Sequence, residues 1–394
     1  MPTLGIYVQI PFCASKCSFC NFSSSVERRG AIDSTLSALV EEIHRLPTWY
    51  AAEGISPHLF ALPANSIYFG GGTPPLAGPT RLTRVLDALA RRFRRADSVE
   101  FTMEATPGSA DEPFLDWAAR AGINRLSIGA QSFVDRELSA VGRLHSADQT
   151  REFVRLARRA GFKNLSLDLI AGLPHQNTAS WRESLSSAAA LQPEHLSVYL
   201  FEVDEKSRLG NEFLRHGTRY QALALPSEDF MADAYEEARA FLAREGYAQY
   251  EISNFSLPGF ESRHNRKYWR RHPVVGLGPG AHSFDGERRW ENITSAADYR
   301  MKIERGDSPI AKLGRLTDTE QLEEFFFLGL RESAGVELQD VARRWGREAE
   351  KTMERIVEEL TARQLLAREN GRVRLRPEAY LVSNEVFQEF LLNV

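Results

Sequence analysis

Three cysteines form the most reactive segment of this sequence. Cys13, Cys17 and Cys20 lie in the stretch YVQIPFCASKCSFCNF, and the 394-residue chain contains no other cysteine. Three thiolates at the spacing CxxxCxxC cannot complete a four-cysteine metal site, so one position stays open. An iron–sulfur cluster of four irons fits this pattern, because three cysteines leave one iron free to bind a small chelating molecule. Zinc, which usually takes two separate CxxC arms, and three unligated thiols, which oxidise readily, are the weaker alternatives.

The elements that must position these cysteines follow a βα rhythm. Short β-branched and aromatic runs alternate with segments of helical period, which is typical of a parallel α/β fold. Residues 31–46, for example, repeat apolar side chains at steps of three and four and predict a helix that packs on the sheet. Six such units are too few for a closed eight-stranded barrel. We therefore predict a partial (β/α)6 barrel, with a doubly wound open sheet as the alternative. The six predicted strands are GIYVQI, SIYFGG, VEFTME, RLSIGA, NLSLDLI and HLSVYLF.

The chain divides into three predicted segments. Residues 1–225 form the partial barrel, residues 226–310 a helical and loop extension, and residues 311–394 a C-terminal α+β module. In the last segment, helical patterns precede two alternating runs joined by Asn370 and Gly371, which signal a hairpin. Helices followed by a hairpin indicate a winged-helix-like module. Its many glutamates favour packing or docking over DNA binding.

Polar or glycine residues end each predicted strand. Glycines 70–72 and Thr73 follow the second strand, and a backbone without side chains allows close approach of a ligand. A lone charged residue usually lies on the solvated surface. Because active sites of parallel barrels form at the carboxyl ends of the strands, however, we expect these groups to share one rim. The other members of the set are Glu104, Gln131, Arg143 and Asp168.

Composition limits the function classes. Hydrophobic residues make up 43% of the chain and charged residues 26%, which predicts a globular protein with a large core. No apolar run approaches the roughly 20 residues of a membrane span, and the cysteine segment begins too early for a signal peptide, so we expect a cytoplasmic protein. A net charge of -4 argues against a nucleic-acid partner. Three clustered cysteines do not form a secreted disulfide framework.

The cysteine motif, Phe19 before its last cysteine and GGGTP after the second strand together resemble the radical S-adenosylmethionine (SAM) superfamily. The resemblance implies a partial (β/α) barrel in which SAM chelates the unique iron of a [4Fe-4S] cluster. An electron from the cluster then cleaves SAM to methionine and a 5′-deoxyadenosyl radical. Carried over by position, it implies cluster ligation by Cys13, Cys17 and Cys20. The implied SAM contacts are Tyr7, Phe19, Gly71, Gly72, Thr73, Glu104, Gln131, Arg143 and Asp168.

Longer strings, among them GINRLSIGAQSFVDRELSAVGRLHS and YEISNFSLPGFESRHNRKYW, resemble the HemN/HemW family over nearly the whole chain. Two features resemble the HemW heme chaperones more than the HemN coproporphyrinogen III oxidases. Only six residues precede Tyr7, where the oxidases carry a long extension, and Phe22 stands where they carry a further cysteine. The string RHNRKYW also matches an HNxxYW motif that implies heme binding by His264, Tyr268 and Trp269. Neighbouring arginines would pair with the propionates.

Other interpretations of this motif stay open. His264 can instead cap a turn while Tyr268 and Trp269 pack into the core, and a basic-aromatic stretch can bind single-stranded nucleic acid. The family pattern also has histidine where this chain has Gln9, which can form hydrogen bonds but does not titrate near neutral pH. Asn21 replaces a common aspartate, with no consequence that we can derive.

The leading functional hypothesis is a HemW-type heme chaperone that binds SAM and a [4Fe-4S] cluster and delivers heme to respiratory hemoproteins. Peripheral membrane contact and a homodimer are further expectations from the resemblance. The alternative is an oxygen-independent coproporphyrinogen III oxidase, an enzyme that removes CO₂ from propionate side chains. A different radical SAM enzyme on the same scaffold is a third hypothesis. Similarity of fold cannot choose among the three.

Overall fold

A computed structural model describes residues 2–27 and 29–392. Six parallel strands lie side by side in chain order, each paired with the next. A doubly wound sheet would reverse its strand order at a switch point. The uninterrupted order therefore confirms the partial barrel. The strands are β1 (Leu4–Ile10), β2 (Ala64–Gly71), β3 (Arg95–Ala105), β4 (Arg125–Gln131), β5 (Leu165–Ala171) and β6 (His195–Leu200).

Helices cover the outer face of this sheet. The predicted apolar face of the first helix is buried at Leu36, Leu39, Ile43 and Leu46, although the helix continues beyond residue 46. Outward strand residues such as Ile6 complete the core between the two layers. The helices that join the six strands are α1 (Arg29–Ala52), α2 (Pro79–Arg92), α3 (Glu112–Arg120), α4 (Asp135–Ala140), α5 (Ala147–Arg159) and α6 (Thr178–Ala190).

The inner face of the same strands is polar. Side chains alternate between the two faces of a strand, so every second residue points away from the helices. A parallel sheet buried on both faces would be apolar on both, whereas here the inner face borders a cavity. Inner residues that line the cavity include Tyr68, Glu104, Arg125, Ser127, Gln131, Asp168, His195 and Ser197.

The segment after the sixth strand extends the sheet at both edges, which the sequence did not predict. One short hairpin pairs with β6, and a strand parallel to β1 begins an antiparallel addition at the opposite edge. The predicted boundary after residue 310 falls at the start of the last of these strands. The added strands are β7 (Ala248–Gln249), β8 (Asn254–Ser256), β9 (Val274–Leu277), β10 (His282–Phe284), β11 (Arg288–Asn292) and β12 (Ile310–Arg315). The added helices are α7 (Arg208–Leu214), α8 (Glu228–Arg244), α9 (Arg263–Trp269) and α10 (Ala296–Arg305).

The C-terminal module combines helices with a three-stranded sheet of order β13-β15-β14. Its hairpin turns at Asn370 and Gly371, both with positive φ, as the Asn-Gly pair predicts. The long helix of the module is interrupted at Gly346. Within the described part of the chain, no helix is long and apolar enough to cross a bilayer. The elements are α11 (Asp318–Gly329), β13 (Val336–Glu337), α12 (Leu338–Ala362), β14 (Leu366–Glu369), β15 (Arg372–Leu375) and α13 (Ser383–Gln388).

Candidate functional site

A cavity of about 700 Å³ opens at the carboxyl ends of the parallel strands and extends down the inner face of the sheet. The structure brings together there most of the residues that the sequence suggested. Tyr7, His264, Tyr268 and Trp269 are not part of its lining. The predicted residues that do line it are Cys13, Cys17, Phe19, Cys20, Gly71, Gly72, Thr73, Glu104, Gln131, Arg143 and Asp168.

The cysteine loop is held by backbone hydrogen bonds. The N–H of Cys13 donates to the carbonyl of Ser25, and the N–H of Thr73 donates to the carbonyl of Phe12 at 2.7 Å. On the far side, the N–H of Ser18 donates to the carbonyl of Val141. The loop is therefore fixed to β2 and to the segment after α4, independently of any bound group.

The three thiols are unpaired and half-buried. Burial raises the pKa of Cys13, while Nη1 of Arg143 lies 3.6 Å from the sulfur of Cys17. Among the described residues, no three His, Cys, Asp or Glu side chains converge on a single metal position. A four-iron cluster does not need such convergence, because each thiolate binds a different iron. The donor set and its nearby cation fit that cluster.

The glycine loop after β2 packs directly against the cysteine loop. Gly71 has a φ of +97°, which favours glycine. A Cβ on Gly72 would approach the backbone oxygen of Phe12 to 2.5 Å, so a side chain there would displace the cysteine loop. The N–H of Gly71 donates to Oε2 of Glu104 at 2.9 Å. The N–H of Gly71 is therefore already engaged by Glu104 and is not available to a ligand. The glycines instead let a ligand approach the backbone closely.

Two partly buried carboxylates lie on the inner face of the sheet and line the cavity. Glu104 accepts hydrogen bonds from the hydroxyl of Tyr68 at 2.9 Å and from Gly71, and burial raises its pKa to about 7. Burial also raises the pKa of Asp168, whose strongest opposing contact is a hydrogen bond from Ser197. Glu104 can exchange a proton near neutral pH, and both carboxylates can accept hydrogen bonds from a ligand hydroxyl or amine.

Gln131 is held in an unusual backbone conformation at the end of β4. Its φ is +68°, and the pairing of β4 with β5 shifts register between Ile128 and Gln131. Bulges of this kind redirect a side chain, and strained residues concentrate at functional sites. Arg143 reaches the same region, donating to the carbonyl of Gly129.

Gln9, which replaces the family histidine, links the first strand to the cysteine loop. The hydroxyl of Tyr7 donates to its Oε1 at 2.7 Å, and its Nε2 donates to the carbonyl of Ser23 at 3.2 Å. The side chain is 7% exposed. In this chain the position therefore supports the loop, and Tyr7 contacts Gln9 rather than the cavity.

The helix that carries the HNxxYW motif adjoins the cavity and lines it at Asn265. His264 is 1% exposed, with Nδ1 at 3.0 Å from Oγ of Ser66 and Nε2 at 3.2 Å from the hydroxyl of Tyr268. Its ring lies 5.1 Å from that of Tyr68, which lines the cavity above it. Burial, together with the charges of Lys267 and Arg125, lowers the pKa of His264 to about 3. Iron ligation by this imidazole would require release from both hydroxyls.

The basic residues of this helix and of the two positions after it already have partners within the protein. Arg266 and Arg270 both contact Glu332 at 3.0 Å, and the side chain of Glu332 is 7% exposed. Arg271 pairs with Glu324 at 3.1 Å, and Nζ of Lys267 donates to Thr3. Arg263 donates to Ser98. These contacts fix α9 to the C-terminal module and to the start of β1.

Several cavity residues were missed in the sequence, among them three with charged, imidazole or phenol side chains. Arg125 and His195 begin β4 and β6, and Tyr199 lies near the end of β6; all three line the cavity. Strand alternation could have found them, since each occupies an inner position in the same phase as Gln131 or Ser197. The sequence prediction considered only the residues at the carboxyl ends of the strands and did not consider those along the inner faces.

Known proteins resemble the chain at two levels. The family model of the radical SAM superfamily matches residues 7–188, and that of the HemN C-terminal domain matches residues 316–382. The chain is 34% identical over 386 residues to the heme chaperone HemW of Bacillus subtilis (strain 168), covering 98% of both proteins. It is 32% identical over 387 residues to the heme chaperone HemW of Lactococcus lactis subsp. lactis (strain IL1403), covering 98% of this chain and 97% of the relative.

One solved structure has the same fold from end to end. Coproporphyrinogen III oxidase (HemN) from Escherichia coli, described as a radical SAM enzyme, matches with a TM-score of 0.86 at 23% identity. The match covers 100% of this chain and 91% of that protein. At this identity it supports the architecture of barrel and C-terminal module and carries no statement about activity.

Proposed function

This chain belongs to the HemW group of the radical SAM superfamily, and on that premise we propose that it is a HemW-type heme chaperone. The observation that carries the proposal is the similarity, over 98% of this chain, to two HemW proteins that are named heme chaperones. The radical SAM family implies SAM and a [4Fe-4S] cluster. Heme as cargo, transfer to respiratory hemoproteins, peripheral membrane contact during transfer and a homodimer are the finer parts of the proposal.

The cavity supports the cofactor part of the proposal. We assign Cys13, Cys17 and Cys20 to the cluster, which when bound supplies the electron that can cleave SAM. Arg143, beside Cys17, stabilises negative charge at the cavity mouth. The remaining predicted contacts, from Phe19 through the glycine loop to Asp168, line the space next to the thiols.

Heme ligation by His264, with Tyr268 and Trp269 beside the ring, stays a prediction. In the described conformation the imidazole is buried and both of its nitrogens face hydroxyl groups. Binding of heme iron there therefore requires a rearrangement of α9 that frees one nitrogen. The ion pairs of α9 with Glu332 would resist that rearrangement, since they anchor the helix to the C-terminal module.

The first experiment is an anaerobic heme titration of the cluster-reconstituted protein, followed by visible absorbance. We expect stoichiometric binding by the wild type and by His282→Ala, a control at a histidine whose side chain is 71% exposed. His264→Ala should bind heme at least tenfold more weakly. Unchanged binding by His264→Ala would overturn the assignment of that ligand while leaving the chaperone proposal in place.

The second experiment separates the chaperone from the oxidase. Coproporphyrinogen III, SAM and a reductant are added to the reconstituted wild type, and the products are separated by chromatography. The proposal expects no decarboxylated product. Formation of protoporphyrinogen, without specific heme binding in the titration, would make the protein an oxidase.

A further inference from the structure

Arg125 is a buried cation that forms no ion pair with any residue that the structure describes. It is the first residue of β4, it is 2% exposed, and it lines the cavity. Its Nε has no hydrogen-bond partner among residues 2–27 and 29–392. In the part of the chain that the structure describes, no ion pair joins its guanidinium to a carboxylate. Arginine is almost never fully buried unless paired, because removing its charge from water is costly.

The nearby carboxylates do not supply the missing partner. Glu104 is occupied by Tyr68 and by the amide of Gly71. Asp168 accepts a hydrogen bond from the hydroxyl of Ser127 at 3.5 Å and forms no ion pair with any residue that the structure describes. The positive charge of Arg125 favours the ionised form of both acids, because it opposes the rise in their pKa values that burial causes. Its planar fork of donors, which matches a carboxylate in two parallel hydrogen bonds, remains free.

The position of Arg125 separates it from the cysteine loop. It precedes Gln131 by six residues on the same strand, and because the bulge before Gln131 takes up about one step, the rise is about 16 Å at roughly 3.3 Å per residue. Arg143, by contrast, lies beside Cys17 at the mouth. A carboxylate that chelates the cluster would therefore meet Arg143. The guanidinium of Arg125 lies farther from the cavity mouth, in the part of the cavity that Tyr68 and His195 also line.

We propose that Arg125 is a receptor for a carboxylate of the ligand that shares this cavity with SAM. Under the proposed function, on which this identification of the ligand rests, the group is a propionate of a tetrapyrrole. The charge-assisted fork then replaces the hydration that Arg125 has lost, which gives the site its preference for acids over neutral esters.

The test compares a porphyrin acid with its ester. Protoporphyrin IX and its dimethyl ester are titrated by fluorescence, anaerobically and with SAM present, into reconstituted wild type, Arg125→Gln and Arg120→Gln. Arg120 is exposed at the end of α3 and controls for the loss of one positive charge. We expect Arg125→Gln to bind the acid at least tenfold more weakly, about 1.4 kcal/mol, and the ester within twofold of wild type. Arg120→Gln should bind both as wild type does.

Other outcomes overturn the proposal in distinct ways. Equal loss of acid and ester, or no loss of either, excludes a carboxylate receptor at Arg125. A loss of SAM affinity with unchanged porphyrin binding would assign the fork to the carboxylate of SAM. If Arg125→Gln does not fold, Arg125→Lys, which keeps the charge but not the fork, must still weaken the acid more than the ester.

Failure of the proposed function gives a different pattern. If the wild type binds no heme and no protoporphyrin IX, coproporphyrin III and its tetramethyl ester repeat the comparison without any requirement for heme transport. Discrimination by Arg125 in that series would keep the receptor and reject the chaperone. Binding of neither acid by the wild type would reject the tetrapyrrole carboxylate as the ligand.

Discussion

Glu42 offers a prediction that pH can test. It lies on α1, is 1% exposed, and accepts hydrogen bonds from Gly278 at 2.8 Å, Asn292 at 2.7 Å and Tyr299 at 2.5 Å. It thereby holds the loop after β9, whose Gly278 packs against the backbone of Gln9. Desolvation outweighs these donors and raises the pKa of Glu42 from 4.5 to about 7. Between these two pH values, the native state therefore keeps a proton on Glu42 that the unfolded chain has already released.

The sign and size follow from linkage. A raised carboxyl pKa contributes stability that is fully present below the unfolded value and is lost as the pH rises through the folded value. With values of 4.5 and about 7, the free energy of unfolding of the wild type should fall by about 2 to 3 kcal/mol between pH 5 and pH 8, relative to Glu42→Gln. Glutamine does not titrate, so any fixed cost of its altered hydrogen bonds is constant across the series.

The assay is urea unfolding of the wild type and Glu42→Gln at pH 5, 6, 7 and 8, with the difference in unfolding free energy plotted against pH. Glu41→Gln, a partly exposed position on the same helix, controls for the loss of one negative charge. The unfolding free energy of the wild type minus that of Glu42→Gln should decrease as the pH rises. The same difference for Glu41→Gln should stay nearly constant. A pH-independent difference for Glu42→Gln would refute protonation of the buried carboxyl.

Two further predictions concern the loops and the module contact. Gly71→Ala should unfold at a lower urea concentration than Gly108→Ala, and it should bind SAM more weakly than the wild type. Both glycines have positive φ, but only at Gly71 would the new Cβ overlap a side chain, that of Gln9. The gap between them should be at least about 1 kcal/mol, and equal midpoints with equal SAM affinity would contradict the packing argument. Glu332→Gln removes the buried partner of Arg266 on α9 and of Arg270 just after it, and should cost roughly 2 kcal/mol of unfolding free energy. Glu348→Gln, at an exposed pair, should cost under about 1 kcal/mol by the same unfolding measurement. Similar costs for the two variants would show that α9 does not depend on this contact.

Much of the fold was predictable because its signals are local. The alternation of strand and helix patterns predicted six parallel strands in chain order, and the Asn370-Gly371 pair predicted the hairpin of the C-terminal module. The six strands that extend the sheet between residues 248 and 315 were not predicted. They are short, several contain only two to four residues, and their place at the sheet edges depends on pairing with distant strands.

The sequence by itself determined the chemistry at the mouth of the cavity. The spacing of Cys13, Cys17 and Cys20, and the glycines after β2, are contiguous features whose meaning does not depend on long-range contacts. Only the tertiary structure decided the rest. The burial of His264 beneath Tyr68, the engagement of the α9 arginines with acids more than 50 residues away, and the unpaired guanidinium of Arg125 each depend on which distant side chains meet. A sequence pattern records what a side chain can do, whereas the fold decides which partners it has and which it still lacks.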